Sequence, residues 1–357
     1  MSDLNYNQVT KIKVIGVGGG GCNAVNRMVE DSTVVGVEFY VANTDLQVLK
    51  TSKVEDANRI LLGRNTTHGL GAGGNPKVGK QAAEENIDEI KEIMKNTDMV
   101  FITAGLGGGT GTGAAPVFAK AAQDAGALTV GVVTKPFTFE GPRRMSQALE
   151  GLDELKQYTD SLIIIPNNRV KEILGGIPFK DSFKETDNIL VQAVKTVTDL
   201  ISYQAMINLD FADIRSVMED QGTALIGIGM ADGENRAVEA AKKAIESPLL
   251  EASITGAHNA IINITGGNDM TANDASAAVD YIRTAAGGDV DTIFGVAFNE
   301  GLGSRIIVTV IATGFDKGVK PETVGAAPER PAKPLDTGFK EEPVDDYDTP
   351  SFFKKRD

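Results

Sequence analysis

Three glycine clusters carry the chemistry this sequence can do. GVGGGG at 16–21 follows an apolar run and opens a helical pattern, and Gly16, Gly18 and Gly21 satisfy G-x-G-x-x-G. GLGAGG occupies 69–74, and GGGTGTG occupies 107–113, again between an apolar run and a helical pattern. Glycine lets backbone N–H groups approach an anion closely, and a helix N-terminus adds partial positive charge. Thr110 and Thr112 add hydroxyl donors. One such loop fits a pyrophosphate, whereas several converging loops suit a longer phosphate chain. Residues 74–80 also match G-x-x-x-x-G-K, but Gln81 stands where a Ser or Thr would hold Mg²⁺ and no strand precedes. That segment reads as a loop followed by a solvated helix, so a triphosphate would bind without a Walker lysine.

Three pairs have helical spacing. Phe183 and Asp187 are i, i+4: a ring to stack on a base and a carboxylate to accept the adjacent N–H donors of guanine. Spacing alone favours a core ring and a solvated carboxylate. Glu140 and Arg144, also i, i+4, would reach ribose and phosphate, and spacing alone again favours an exposed ion pair. Asp210 and Asp213 are i, i+3 and could orient a water or gather a cation, or could be acids favoured at a helix N-terminus. They follow the nucleotide-domain strands and are expected to point away from the glycine loops of their own chain, so if they act on a phosphate, a neighbouring subunit's is the natural candidate. Asn167 and Asn168 fall at the carboxyl end of a strand, where ligands of open α/β sheets gather.

These residues need a frame. Apolar runs at 11–17, 35–42, 99–104, 128–133 and 161–165 read as strands. Helical patterns at 23–30, 82–96 and 116–124 alternate with them, the last with Pro116 in its first turn. Alternation predicts a parallel, doubly wound α/β sheet. Residues 179–204 carry a 3.6-residue apolar period through Ile189, Leu190, Ala193, Val194, Val197, Leu200 and Ile201, a long helix between two domains. Strands at 224–230, 260–265, 292–297 and 306–313, with helices at 235–245 and 272–286, form a smaller α/β domain. The expected division is a flexible N-terminus (1–10), a nucleotide domain (11–178), the central helix (179–204), a C-terminal domain (205–316), a disordered linker (317–345) and a terminal peptide (346–357). Residues 317–357 hold 6 of the 13 prolines and 8 basic against 9 acidic residues, a composition too poor in apolar groups to order itself.

Composition narrows the field. The 357 residues carry 35 Lys and Arg against 49 Asp and Glu, a net charge of −14, which disfavours nucleic acid as a partner. Cys22 is the single cysteine, so no intrachain disulfide or cysteine zinc site forms. His68 and His258 are the only histidines and leave little for His-metal chemistry. No apolar run is long enough to span a membrane, and the N-terminus has no secretory h-region, so a cytoplasmic protein is expected.

Together the motifs resemble the FtsZ family, bacterial homologues of tubulin that act in cell division. GGGTGTG looks like the tubulin-family signature. GVGGGGCNAVNRM at 16–28, NTD at 43–45, GLGAGGNP at 69–76, PFTFEG at 136–141 and NLDFAD at 208–213 follow in the family's order. The similarity runs from about Lys11 to Phe315, and DTPSFFKKRD resembles the family's C-terminal partner-binding peptide. The resemblance implies a mixed sheet in the smaller domain, and GTP or GDP with Mg²⁺. Phosphates would lie on Gly19, Gly20, Gly21, Cys22 and Asn23, and on Gly108, Gly109, Thr110, Gly111 and Thr112, with Gly105, Gly107, Gly113 and Pro136 completing the loops. Ala72 and Gly73 would face the γ-phosphate, and Asn43 and Asp45 the phosphate–Mg²⁺ region. Glu140 and Arg144 would hold ribose, and Asn167, Phe183 and Asp187 guanine, which reverses both plainer readings above.

The resemblance also implies a head-to-tail homopolymer. Asp210, Asp213 and Asn208 of one protomer would complete the next protomer's site, so that polymerisation activates GTP hydrolysis in a ring at mid-cell. Asp348, Thr349, Pro350, Phe352, Phe353, Lys354, Lys355 and Arg356 would bind membrane-anchoring and regulatory division proteins, with no direct membrane insertion. Cys22 stands where the family usually has Asn or Gly, and predicts alkylation-sensitive nucleotide binding. Two rivals remain on the sequence. One is an NAD(P)-dependent oxidoreductase, from Gly16, Gly18, Gly21 and Glu38. The other is a tubulin-like scaffold that does not hydrolyse nucleotide.

Overall fold

A computed structural model of the chain describes residues 10–31, 34, 36–174, 178–201, 210–250, 253–288 and 290–315. Asn208, residues 202–204 at the end of the central helix, and the linker and peptide from 317 on, Asp348 to Arg356 included, lie outside the described residues, as do residues 1–9.

Ten strands are described: β1 (Ile12–Val17), β2 (Val37–Asn43), β3 (Arg59–Leu61), β4 (Met99–Gly105), β5 (Leu128–Lys135), β6 (Ser161–Pro166), β7 (Gly222–Ala231), β8 (Asn259–Gly266), β9 (Asp291–Phe298) and β10 (Ile306–Thr313). The helices that matter here are α1 (Gly18–Asp31), α2 (Leu46–Lys50), α3 (Arg64–Thr67), α4 (Pro76–Glu85), α5 (Ile87–Met94), α6 (Thr110–Asp124), α7 (Pro142–Leu155), α8 (Asn167–Leu174), α9 (Phe179–Ile201), α10 (Phe211–Met218), α11 (Arg236–Ile245) and α12 (Ala272–Ala286). The strands hydrogen-bond in the order β3-β2-β1-β4-β5-β6-β7-β10-β8-β9.

From β3 to β6 all pairs are parallel, as alternation with helices requires. β7 joins the two halves. Its first residues pair parallel with Ser161–Ile163 of β6, and Leu225–Ala231 pair antiparallel with β10. β10 is antiparallel to β8, and β8 is parallel to β9, so the second half is mixed.

Buried apolar residues cover both faces. One cluster packs Val25 and Met28 of α1 and Leu190, Val194, Val197 and Leu200 of α9 against β1, β5, β6, β8 and β10. The apolar stripe read from the sequence is therefore real, and α9 spans the sheet from one half to the other. Leu200 lies so near β9 that a Cβ on Gly295 would fall 2.0 Å from its side chain. The opposite face of the first half buries Phe118, Ala114, Ala115 and Ile90 of α5 and α6. A third cluster under α11 and α12 fills the second half.

Three sequence expectations are corrected. The helix placed at 116–124 begins at Thr110, so Pro116 is interior to α6 rather than in its first turn. The glycines and threonines of GGGTGTG had read as loop, yet four of them form the first helical turn. The segment 82–96 is two helices, broken at Asn86, whose Oδ1 accepts from the Gly63 N–H at 2.9 Å. Residues 74–80 are no loop before a solvated helix. Asn75 caps α4, accepting from the Lys77 N–H at 3.1 Å, and Gly79, Ala82 and Ala83 are buried against α6. Lys80 pairs with Glu154 at 2.7 Å, so it serves packing rather than phosphate.

Candidate functional site

β1 has β2 on one side and β4 on the other, so the winding direction reverses between β1 and β4. At such a switch point the carboxyl ends of the strands leave a crevice. The two helices that begin there are α1, directly after β1, and α6, five residues after β4. Both present unsatisfied N–H groups and positive dipole ends to the crevice.

Glycine is what lets the loops meet. Gly18 has φ +73°, and a Cβ on it would fall 2.6 Å from the Gly111 nitrogen. Gly113 lets α4 cross α6: a Cβ there would fall 1.9 Å from the Pro76 carbonyl oxygen. Gly19, Gly73 and Gly108 have nothing within 4 Å of such an atom, so they border open space.

The cleft holds about 420 Å³. Gly19, Gly20 and Asn23 of α1 line it, as do Gly105, Leu106, Gly108, Gly109, Thr110 and Gly111 of the β4–α6 connection. Thr134 and Pro136 at the end of β5, Glu140, Arg144 and Asn167, and Phe183, Thr186, Asp187 and Leu190 of α9 complete it. Backbone amides gather at one end and side chains at the other.

The side-chain end is organised by hydrogen bonds. Glu140 accepts from the Phe137 N–H at 2.9 Å and pairs with the Arg144 guanidinium. Asn168 accepts from the Thr138 N–H at 3.0 Å and donates to its hydroxyl at 2.6 Å, tying 136–141 to α8. Asn167 beside it is 5% exposed, and its Oδ1 has no partner among the described residues. An acceptor buried and unfilled in this way calls for a donor from a ligand. Phe183 is 41% exposed, so it is no core ring; it meets Phe137 edge-on at 5.2 Å. Asp187 is no solvated carboxylate. Burial pushes it up to about 7, opposed by the Arg27 guanidinium.

Other sequence-derived residues stand beside the cleft rather than in its lining. Asn43 is buried, and its Oδ1 accepts from the Asp45 N–H at 3.1 Å. Asp45 caps α2 by accepting from the Gln47 N–H at 2.8 Å. Between them Thr44 bonds the Thr110 hydroxyl at 2.6 Å, which couples NTD to the third loop. Ala72 packs against Gly109, and Gly73 adjoins it. The Thr112 hydroxyl is turned inward, buried and outside the cleft lining, and accepts from the Gly107 N–H at 2.8 Å, so it shapes the loop. Gly107 shapes the loop with φ +97°, whereas Gly21 in α1 and Gly113 in α6 permit close backbone approach, to Thr103 and Pro76 respectively.

Cys22 corrects an expectation. Its side chain is fully buried, with the thiol within 3.6 Å of the Gly16 and Ala42 carbonyl oxygens, and burial pushes the thiol up to about 12. A buried, protonated thiol is inert. Native protein at pH 8 is expected to resist iodoacetamide, with stoichiometric labelling of Cys22 after unfolding in guanidinium, read by intact mass.

Sequence reasoning missed Leu106, Thr134, Thr186 and Leu190. Residues 183, 186, 187 and 190 form one i, i+3, i+4, i+7 stripe, so extending the Phe183–Asp187 pair by helical periodicity would have found two of them.

Phosphate-sized loops at one end, a base-sized pocket at the other and a parallel sheet beneath define a nucleoside-triphosphate-binding α/β protein. Residues 11–175 match the model of the Tubulin/FtsZ family, GTPase domain, and residues 222–316 that of the FtsZ family, C-terminal domain. The chain is 45% identical to an FtsZ dimer structure from M. jannaschii, covering 85% of this chain and 88% of that one, with a TM-score of 0.82. An FtsZ mutant from the same organism gives 45% identity, coverages of 86% and 91%, and 0.82. CetZ2 from Haloferax volcanii, solved as a GTPγS-bound protofilament, shares the fold at 21% identity, with coverages of 88% and 95% and a TM-score of 0.73. The chain belongs to the FtsZ family of tubulin-like GTPases. GTP and GDP are its nucleotides and GTP hydrolysis its reaction. The oxidoreductase reading of Gly16, Gly18 and Gly21 is not favoured.

Proposed function

We propose that the chain polymerises head to tail with GTP, that each active site is completed by the next protomer, and that the filaments build the division ring at mid-cell in the cytoplasm. One observation carries the shared site. The acids lining the cleft are Glu140, paired with Arg144, and Asp187 on α9; none lies among the glycine loops. Asp210 and Asp213 are carboxylates without a side-chain hydrogen bond or ion pair among the described residues, exposed at the start of α10 and outside the cleft of their own chain. Asp210 occupies the N-cap position without making a side-chain cap bond. Supplied by a neighbour, they would orient the attacking water, with Asn208 beside them. Phosphoryl transfer asks mainly for such positioning and for charge neutralisation.

In this reading phosphates lie on the glycine loops, Glu140 and Arg144 hold ribose, and Asn167, Phe183 and Asp187 read guanine. No cluster of three His, Cys, Asp or Glu could hold a metal among the described residues. Mg²⁺ would be carried on the triphosphate oxygens, near Asn43 and Asp45, and supply charge neutralisation. The dimer of the M. jannaschii relative and the protofilament of CetZ2 support self-association. So do Leu46 and Leu70, 38% and 84% exposed on adjoining segments by the second glycine loop. No described helix is long and apolar enough to cross a membrane. Asp348–Arg356 would dock through Phe352 and Phe353, with Lys354, Lys355 and Arg356 on an acidic rim of a membrane-anchoring partner.

Competition binding tests the base assignment. GTP is expected to bind best, inosine triphosphate about tenfold weaker for want of one amino donor, and ATP at least about a thousandfold weaker. Equal binding of GTP and ATP would refute it.

A further inference from the structure

Arg27 stands behind the cleft rather than in it. It lies on α1 one helical turn after Asn23, a lining residue, and α1 packs against α9, which carries Asp187. Its Nε is buried without a hydrogen-bond partner. A guanidinium so placed is costly unless a negative charge stands near. Asp187 is that charge: burial raises its carboxyl and Arg27 alone draws it down, with no direct ion pair between them.

The neighbouring charges are either paired with other groups or lie at exposed or helix-end positions, and on α1 itself Glu30 pairs with Lys53 at 3.4 Å. Glu140 and Arg144 pair with each other in the cleft. On α9, Glu185 accepts from Asn188 at 3.0 Å and lines a separate cavity with Val170 and Ile189, Lys184 is exposed, and Asp181 lies in the first turn. On α8, Arg169 pairs with Glu172, and Lys171 is exposed. β5 ends in Lys135, which has a partner of its own. On α10, Arg215 pairs with Glu219, and Asp213 is exposed.

We propose that Arg27 is a positioning residue for guanine selection, holding the Asp187 carboxylate in the charged form that accepts the base's two N–H donors. The inference rests on the reading of Asp187 as the guanine acceptor. A carboxylate accepts both donors, whereas a carboxylic acid opposes one of them with its own O–H. In the nucleotide-free protein Asp187 changes charge near pH 7, so guanine binding expels a proton. Affinity then has a high-pH plateau and falls about tenfold per pH unit below the step. Without Arg27, burial is unopposed and the step moves up.

GDP binding to the full chain, followed from about pH 5.5 to about pH 8.5, tests this without turnover. The wild-type step is expected near pH 7. Arg27→Gln should move it up by about one unit, costing about fivefold in affinity at pH 7 and about tenfold below the wild-type step, with the curves converging at high pH. Arg27→Lys should leave the step in place, and Asp187→Asn should flatten the profile. A uniform loss at every pH in Arg27→Gln, its step unmoved, would show a merely structural arginine and overturn the inference alone. Unchanged GDP affinity and an unchanged step in Asp187→Asn would overturn the reading of the cleft as well.

Discussion

Asp213→Ala is expected to lower GTP turnover by about a hundredfold to ten-thousandfold, the usual range for a lost group that positions or deprotonates the nucleophile. Nucleotide affinity should change less than about threefold, because Asp213 is absent from the cleft of its own chain. Stability should hold too. Asp213 is exposed in the first turn of α10, and its side chain makes no hydrogen bond among the described residues; the contact at this position is its backbone carbonyl, which accepts from the Ser216 hydroxyl at 2.7 Å. Melting curves within about 2 °C of wild type would confirm that the loss is chemical. A mixture with a cleft-defective variant adds a sharper check. Asp213→Ala protomers bring intact clefts and the others bring intact carboxylates, so turnover should partly recover where neither variant is active alone. No recovery would place both functions in one chain.

Gly113→Ala is expected to be ruinous where Gly108→Ala is only selective. The added methyl at 113 would sit 1.9 Å from the Pro76 carbonyl oxygen and 2.6 Å from the Lys80 nitrogen, both backbone atoms that cannot rotate away. α4 and α6 must separate, and a loss of about 3 kcal/mol, the upper end for overpacked cores, should appear as a Tm drop of several degrees with nucleotide binding lost. At Gly108 the methyl meets nothing within 4 Å, so Tm should be unchanged. It would project into the space left for phosphate, and affinity should fall about tenfold or more. Denaturation curves and GDP titrations on both variants separate the two roles. Equal stability of the pair would mean that the crossing of α4 over α6 is looser than its geometry.

Much of the fold was legible because its signals are local. Strand alternation and the α9 stripe need no knowledge of distant residues, and helix α12 at 272–286 was read with its bounds intact. What failed was chemistry that depends on tertiary context. GGGTGTG has the composition of a loop, but its last four residues form the first turn of α6, which leaves their amides open at the cleft. The sequence at 74–80 correctly excludes a phosphate loop but reads as a loop before a solvated helix, and only the buried face of α4 shows that Gly79 serves packing. β7 gives no sequence sign that it will bridge a parallel and an antiparallel partner. Glu140, Arg144, Phe183 and Asp187 could not be told from surface or core residues by spacing. An unfilled acceptor on Asn167, a ring left open to the cleft and a carboxyl raised by burial are properties of assembled walls. Arg27 carried no sequence signal, since an arginine on an amphipathic helix is ordinary.

The most direct measurement is GTP hydrolysis per mole of protein across a wide range of protein concentration, with Mg²⁺ present. A site shared between protomers predicts activity near zero below a threshold concentration and a rise above it, with Asp213→Ala flat throughout. Specific activity that is constant with dilution would mean that one chain holds the complete site, and that the carboxylates of α10 are not supplied by a neighbour.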